Sequence, residues 1–284
     1  MAFCLGSRIV SNRPLSAYLQ EAVHYFKAIE LHTDPRCLSP HFTFTAAEKK
    51  TIRIYQERFR FSLTMHAPFV DLRLGASDYE ERMVAINIFL NTMRLASDLE
   101  IKYVTFHPCT LDPNTTDLYS ETRLYEEGSI AMLLQEAKKL GVTLLMENMP
   151  RSPRFHPSVC DGSRLQELLW LFQEPEFGLT VDIGHALQAG IMPEAFLKMD
   201  RVRHFHFHDN DRASDLHQSL TVNADWWKKI YKNISKKFPD AIGILEMERL
   251  EEQIESMNLL SGRSPKRSVL LHKREPIIPP ILGE

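Results

Sequence analysis

The sequence predicts an α/β fold, a single-domain (β/α)8 TIM barrel, and three observations carry that prediction. Eight short β-like runs alternate with helix-like stretches along the chain. The length of 284 residues suits one barrel with a short appendage. The rival doubly wound sheet would carry a glycine-rich phosphate loop after its first strand, and the segment found there, GSRIVSN, is not one.

The elements follow in order. FCLGSRIV (3–10) reads as the first strand. PLSAYLQEAVHYF follows it, with apolar residues at three- and four-residue spacing. AIELHT (28–33) and FSLTMH (61–66) are the second and third strands. Ser77-Asp78 opens the amphipathic stretch SDYEERMVAINIFLNTMRLASDLE. KYVTFH (102–107) is the fourth strand, and Asn114 to Thr116 reads as the next helix start. Lys139 to Gly141 reads as its stop, with a basic last turn and a glycine just past it. VTLLME (142–147), FGLTVD (177–182), VRHFHFH (202–208) and AIGILEM (241–247) complete the strands. RLQELLWLF, PEAFLKM and ADWWKKIYKNI are the shorter helices among them. After Leu260 the composition turns rich in proline and basic residues. The barrel is therefore expected over 1–260 and a C-terminal tail over 261–284.

Composition narrows the function classes. Apolar residues make up 44% and charged residues 25%, as in soluble globular proteins. The net charge of -3 provides no global basic field, so a nucleic-acid partner is not favoured. Cys4, Cys37, Cys109 and Cys160 form no CxxC pair, which argues against a disulfide framework or a thiolate zinc site and fits a reducing compartment. The N-terminus lacks the layout of a signal peptide, and no apolar run approaches a membrane span. A cytoplasmic protein without a membrane partner is expected. Trp226, Trp227 and IIPPILGE offer surfaces for a homo-oligomer, although core packing is the favoured role for at least one Trp.

The strand ends carry the chemistry. The third ends at His66, the fourth at His107, the fifth at Glu147 and the sixth at Asp182, with His185 three residues on. The seventh brings His204, His206 and His208 to one face by strict alternation, and the eighth ends at Glu246. In a barrel these ends meet at one mouth. A lone histidine there is more often a hydrogen-bonded structural residue, and a lone rim glutamate is usually solvated. The set resists that reading, because several carboxylates gathered in a low-dielectric mouth need a counter-charge. A divalent cation supplies it. Mixed imidazole and carboxylate donors suit zinc, manganese or iron. Asp215 and His217, spaced D-x-H after the seventh strand, lie over the same mouth.

These segments resemble the xylose isomerase-like barrel superfamily over about residues 1–260. That superfamily holds sugar-phosphate isomerases and epimerases, together with AP endonuclease family 2, related to the type IV apurinic endonucleases. The shared segments are HAP (66–68), HP (107–108), EN (147–148), D-x-x-H (182–185), H-x-x-D (206–209), D-x-H (215–217) and Glu246. The resemblance implies that Glu147, Asp182, His206 and Glu246 are the metal ligands common to the superfamily. It also implies that His66, His107, His185, Asp215 and His217 match the remaining ligands of the endonuclease branch's three-metal cluster, giving one to three cations per chain. In the isomerase branch the equivalents of His66, His107 and His185 often contact substrate instead. HPCTL, NMPR and DIGH stand where the endonucleases carry HPGSH, NTAG and DTCH, and these departures resemble the isomerase branch. The loop QSLTVNADWW lacks the LGxG that usually follows the D-x-H.

Two functions follow from the resemblance. The first is a metal-dependent sugar or sugar-phosphate isomerase or epimerase, in which Glu147 and Glu246 are the catalytic pair, moving a proton beside a polarised carbonyl. The alternative is a multi-metal phosphodiester or phosphate ester hydrolase, in which Glu147 bridges cations. The substrate expected is a small sugar or phosphorylated molecule. His208, Arg151, Arg154 and Phe69 are candidate substrate contacts, with rim packing the bland reading of Phe69 and solvation that of the arginines. His204 is expected to fill the barrel interior through a hydrogen bond. A non-catalytic barrel is set aside, because none of the ligand positions is missing.

Overall fold

Alternate side chains of a strand point to opposite faces, and here both faces are buried, as a parallel sheet wrapped by helices requires. The computed structural model describes residues 3–10, 13–34, 44–69, 72–110 and 119–262. Its strands are β1 (Cys4–Arg8), β2 (Ala28–His32), β3 (Ser62–His66), β4 (Tyr103–Phe106), β5 (Thr143–Glu147), β6 (Phe177–Asp182), β7 (Val202–Phe207) and β8 (Ile242–Leu245). They close in sequence order, and β8 pairs with β1 in parallel. The fold is the expected single-domain (β/α)8 barrel. Each predicted strand is present, trimmed by a residue or more at one or both ends except the sixth.

The helices are α1 (Leu15–Ala22), α2 (Ala46–Phe59), α3 (Tyr79–Asp98), α4 (Tyr119–Leu140), α5 (Pro157–Cys160), α6 (Ser163–Leu171), α7 (Ile183–Gln188), α8 (Ala224–Lys237) and α9 (Leu250–Ser261). Local chemistry sets their ends. Asp78 caps α3 by accepting a hydrogen bond from the Glu81 N–H at 2.8 Å. Thr45 and Glu48 form a reciprocal capping box on α2. Gly141, at φ 68°, stops α4 as expected. PEAFLKM forms a 3-10 helix (Pro193–Lys198), with Pro193 at its start, and not an α-helix. The helix start expected at Asn114 to Thr116, Cys37 and nearly all of the tail lie outside the described residues. No helix among the described residues is long and apolar enough to cross a membrane.

The two faces of β7 show how the sheet divides its labour. Phe205 and Phe207 point outward and pack on Phe3, Phe238 and Trp227. His204 and His206 point into the lumen, where Glu30, Thr64, Thr105 and Thr180 are also fully or almost fully buried. The main apolar core therefore lies between strands and helices, while the lumen is polar towards the mouth and holds a small apolar cluster of Ala28, Ile242 and Ile244.

Two anchors hold the mouth. The Asn148 side-chain amide donates to the Asp182 carbonyl at 2.9 Å and accepts from the Asp182 N–H at 2.8 Å, joining the ends of β5 and β6. Beyond β7, Asp209 and Gln218 exchange backbone hydrogen bonds at 2.9 and 2.7 Å, closing the loop that carries Asp215 and His217. The Asp209 carboxylate accepts from the indole N–H of Trp227 at 2.9 Å and from the Asn223 amide at 2.7 Å. Trp227 is fully buried, which gives the tryptophan pair its expected core member.

Candidate metal centre

The residues expected at the mouth converge there. Glu147, Asp182, His206 and Glu246 form one buried group whose ligand atoms lie within 4.8 Å of one another. His206 Nδ1 stands 2.9 Å from Glu147 Oε1, 3.5 Å from Glu246 Oε2 and 3.8 Å from Asp182 Oδ2. A second group shares Glu147 through its other oxygen. His66 Nε2 and His107 Nε2 lie 3.3 and 3.2 Å from Glu147 Oε2. A third gathers around Asp215, with His185 Nε2 at 3.3 Å, His217 Nε2 at 3.5 Å and His208 Nε2 at 3.6 Å. His208 thus joins the third group rather than the central one, and its Nε2 also lies 3.2 Å from Asp182.

Backbone geometry makes the third group. His217 adopts φ 47°, a left-handed conformation that non-glycine residues seldom take. Its ring stacks on His208 with centroids 4.0 Å apart. Gly184, in DIGH, leaves room for that ring, since a Cβ there would lie 2.2 Å from His208 Cε1.

Hydrogen-bond logic tests whether a cation fits. His66 Nδ1 lies 2.7 Å from the Ala67 carbonyl, His185 Nδ1 lies 2.8 Å from the Asn148 carbonyl, and His217 Nδ1 lies 2.9 Å from the Glu246 carbonyl. A carbonyl only accepts, so each Nδ1 carries the proton. In the neutral ring Nε2 is then a bare lone pair, and in all three cases it faces a carboxylate. Two acceptors face each other with nothing to share between them. A proton on Nε2 or a divalent cation resolves that, and pinning the remote ring nitrogen is how proteins orient imidazole ligands. The donor set fits zinc, manganese or iron.

Without a cation, protons take its place between these groups. Burial opposes a charged imidazole, yet the Asp182 and Asp215 carboxylates hold His185 well above its ordinary pKa. Burial also opposes charge on His206, and Glu246, Glu147 and Glu30 raise it well above. Burial would raise the Glu147 carboxyl, but His206, His107 and His66 hold it well below the usual range. Glu246 is held at about 2: burial pushes up, and His206 pulls down more strongly together with Arg8 and His217.

The remaining candidates lie at the rim. Phe69 packs on His66 and His107, with centroids 5.4 and 5.0 Å away. The Arg151 guanidinium donates to the Ala189 carbonyl at 3.1 Å. Arg154 is exposed, and its backbone N–H donates to Ser152 Oγ at 3.2 Å. His204 Nδ1 meets the Thr105 and Thr180 hydroxyls at 3.4 and 3.5 Å, the hydrogen-bonded interior role expected of it.

Sequence reasoning missed Glu30 and His32 on β2. Both are buried in the lumen. His32 stands beside His66 in register and stacks on it, with centroids 4.8 Å apart. Glu30 lies 3.2 Å from His206 Nε2 and 3.4 Å from His204 Nε2. The signal available was the alternation in ELH, the same that placed His204, His206 and His208 on one face.

Comparison with known proteins gives a family and a fold. A family model described as xylose isomerase-like TIM barrel matches residues 19–261. An uncharacterized protein of Methanocaldococcus jannaschii is 22% identical over 265 residues, covering 92% of this chain and 88% of its own. The crystal structure of a D-tagatose 3-epimerase-like protein superposes with TM-score 0.81 at 19% identity, covering 92% of this chain and 96% of that one. Endonuclease IV from Thermus thermophilus superposes with TM-score 0.66 at 20% identity, covering 91% of this chain and 98% of that one.

Proposed function

This chain belongs to the xylose isomerase-like TIM barrel family, and on that premise we propose that it is a multi-cation phosphoester hydrolase acting on a small phosphorylated molecule. One observation carries the reading. The two oxygens of Glu147 face different partners, Oε1 towards His206 and Oε2 towards His66 and His107. A mouth divided in this way, with a further group around Asp215, offers more positions than proton transfer beside a carbonyl requires. Divalent cations held by these three groups would neutralise phosphate oxygens and acidify a water.

The chain's own residues set the direction of approach. Among the ligand-type side chains of the three groups, Asp215, His107 and His217 retain 31%, 18% and 18% exposure, and the others are 5% or less. A substrate therefore enters between the end of β4 and the loop after β7. Asp215 stands at this wet edge and stays ionised: burial works against it, but His185 and His217 pull its carboxyl far below the usual range. It can accept a hydrogen bond from an incoming water. The net charge of -3 supplies no global basic field for a nucleic-acid backbone, and the Arg151 guanidinium is engaged with the Ala189 carbonyl.

A second reading keeps the isomerase or epimerase. HPCTL, NMPR and DIGH favour it, and Glu147 and Glu246 approach His206 from different strands at 2.9 and 3.5 Å, as a proton-exchanging pair would.

The test uses metal-free protein reloaded stepwise with zinc or manganese. Hydrolysis of p-nitrophenyl phosphate and bis(p-nitrophenyl) phosphate is followed in parallel with interconversion of ketoses by chromatography. Hydrolysis should appear only above one cation per chain, and Glu246→Gln should fold normally while losing at least about 100-fold in turnover. Ketose interconversion at one cation per chain, with no hydrolysis at full loading, would overturn the hydrolase in favour of the second reading.

A further inference from the structure

Beneath the mouth lies a set of polar atoms that none of the three groups uses. Glu30 Oε1, His32 Nε2, His204 Nε2 and His206 Nε2 are buried side-chain atoms without a hydrogen-bond partner. All four residues are at least nine-tenths buried. Leaving such atoms unpaired is costly, and more so for a charged group. Their arrangement is not random, because every one of them faces Glu30 or is part of it.

We propose that Glu30, His32 and Glu246 form a further cation site inside the barrel, on the β2 side of the mouth and reaching into the lumen at Glu30. His32 Nε2 lies 3.5 Å from Glu30 Oε1 and 3.9 Å from Glu246 Oε1. Ligand atoms around a cation bound at about 2.0–2.2 Å stand roughly 3–4 Å apart. The three residues meet the same closeness criterion as the groups at the mouth, and all three are buried. Two carboxylates and one neutral imidazole balance the charge of one divalent ion. That balance removes the cost of holding a fully buried Glu30 carboxylate without a permanent cation.

The surroundings suit this role. Glu246 divides its oxygens, Oε2 towards His206 Nδ1 in the central group and Oε1 towards His32 on β2. It would join the deep cation to the central one, as Glu147 joins the central group to the His66 pair. The ring nitrogen of His206 that faces Glu30 is the one opposite its mouth-facing Nδ1. With Nδ1 given to a cation, Nε2 holds the proton and points it at Glu30. The Thr64 hydroxyl donates to Glu30 Oε2 at 3.1 Å. The ligating carboxylate is thus steadied by His206 and Thr64, neither of which is a ligand of this deep cation. The site stands whichever reaction the mouth performs.

Full-length protein is stripped with chelator, reloaded with zinc, desalted and analysed for bound metal, with circular dichroism as the check on folding. His32→Asn and Glu30→Gln should each lose one zinc per chain relative to wild type. His217→Asn should lose a different one, so the double variant His32→Asn/His217→Asn loses two. Crystals of zinc-loaded wild type should show an anomalous peak between Glu30 and His32. A folded His32→Asn that binds as much zinc as wild type overturns the proposal. So does a wild-type map with peaks at the mouth and none at Glu30, and that map decides the matter if the variants fail to fold. Failure of the hydrolase reading would show in the phosphoester assay and leave the deep peak in place.

Discussion

Replacing Gly184 with alanine pushes a methyl group into the His208 imidazole. A Cβ there would stand 2.2 Å from Cε1, 2.4 Å from Nδ1 and 2.5 Å from Nε2 of that ring. Carbon contacts settle at about 3.5–4.0 Å, so the ring must retreat by more than about 1 Å. It has no slack, being stacked on His217 at 4.0 Å and held 3.2 Å from Asp182. Overpacking of this kind costs about 1–3 kcal/mol, offset by up to about 1 kcal/mol from Gly to Ala within a helix. The net of about 0–2 kcal/mol corresponds to a melting temperature up to about 8 °C lower. The larger effect falls on the Asp215 group, where a displaced orienting ring weakens cation binding by about 10–100-fold. Gly128→Ala is the matched control, since Gly128 sits within α4 with nothing within 4 Å of a Cβ. Calorimetric zinc titration and thermal melts of the metal-free proteins are the assays. A Gly184→Ala protein that fills all its cation positions with wild-type affinity, and melts no lower than Gly128→Ala, would refute the packing of His208 over residue 184.

Two further outcomes follow. The metal-free protein should be most stable near the ordinary histidine pKa of about 6.5. Below that value, burial holds His32 and His204 down at about 4, so the unfolded chain takes up protons that the fold refuses and stability falls as pH drops towards 4. Above it, His206 and His185 keep protons that the unfolded chain releases, so stability falls again as pH rises through their elevated pKa values. Zinc should move the optimum upward by replacing those protons, and melts across a pH series with and without zinc would show a flat metal-free profile if this is wrong. Separately, Trp227→Phe removes the indole N–H from the buried Asp209 carboxylate and should cost about 1–3 kcal/mol. It should also loosen the loop of Asp215 and His217, read as faster backbone amide exchange at the Asp209–Gln218 bridge; unchanged exchange would separate that anchor from the loop.

The barrel was legible because strand-length apolar runs alternate with 3.6-residue periodicity, and because each strand end can be assigned to one mouth without knowing any contact. Asp78 and Gly141 were legible as helix ends, since capping is local chemistry. Glu30 and His32 escaped because their partners lie across the lumen, on β7 and β8, and only barrel closure brings those strands near β2. Alternation shows that Glu30 points inward, but not that four unpaired atoms meet there. His208 was placed on the face of His204 and His206, and just beyond the end of β7 at Phe207 it meets Asp182 and Asp215 at the mouth; its part in the Asp215 group depends on a loop whose path the sequence does not show. The left-handed backbone of His217 is likewise invisible in a sequence that carries no glycine at that position.

The loop between β7 and α8 is tied at its root, where Asp209 grips Trp227 and Asn223 behind the barrel wall. Anchorage is thereby separated from recognition. The outer turn ahead of Asp215 can exchange residues, lengthen or shorten while the root keeps Asp215 and His217 over the mouth. Relatives built on the same root could diverge in what they admit while keeping the same carboxylate and imidazole mouth. Grafting foreign turns between Asn210 and Asp215 is the natural way to redirect this protein towards new substrates.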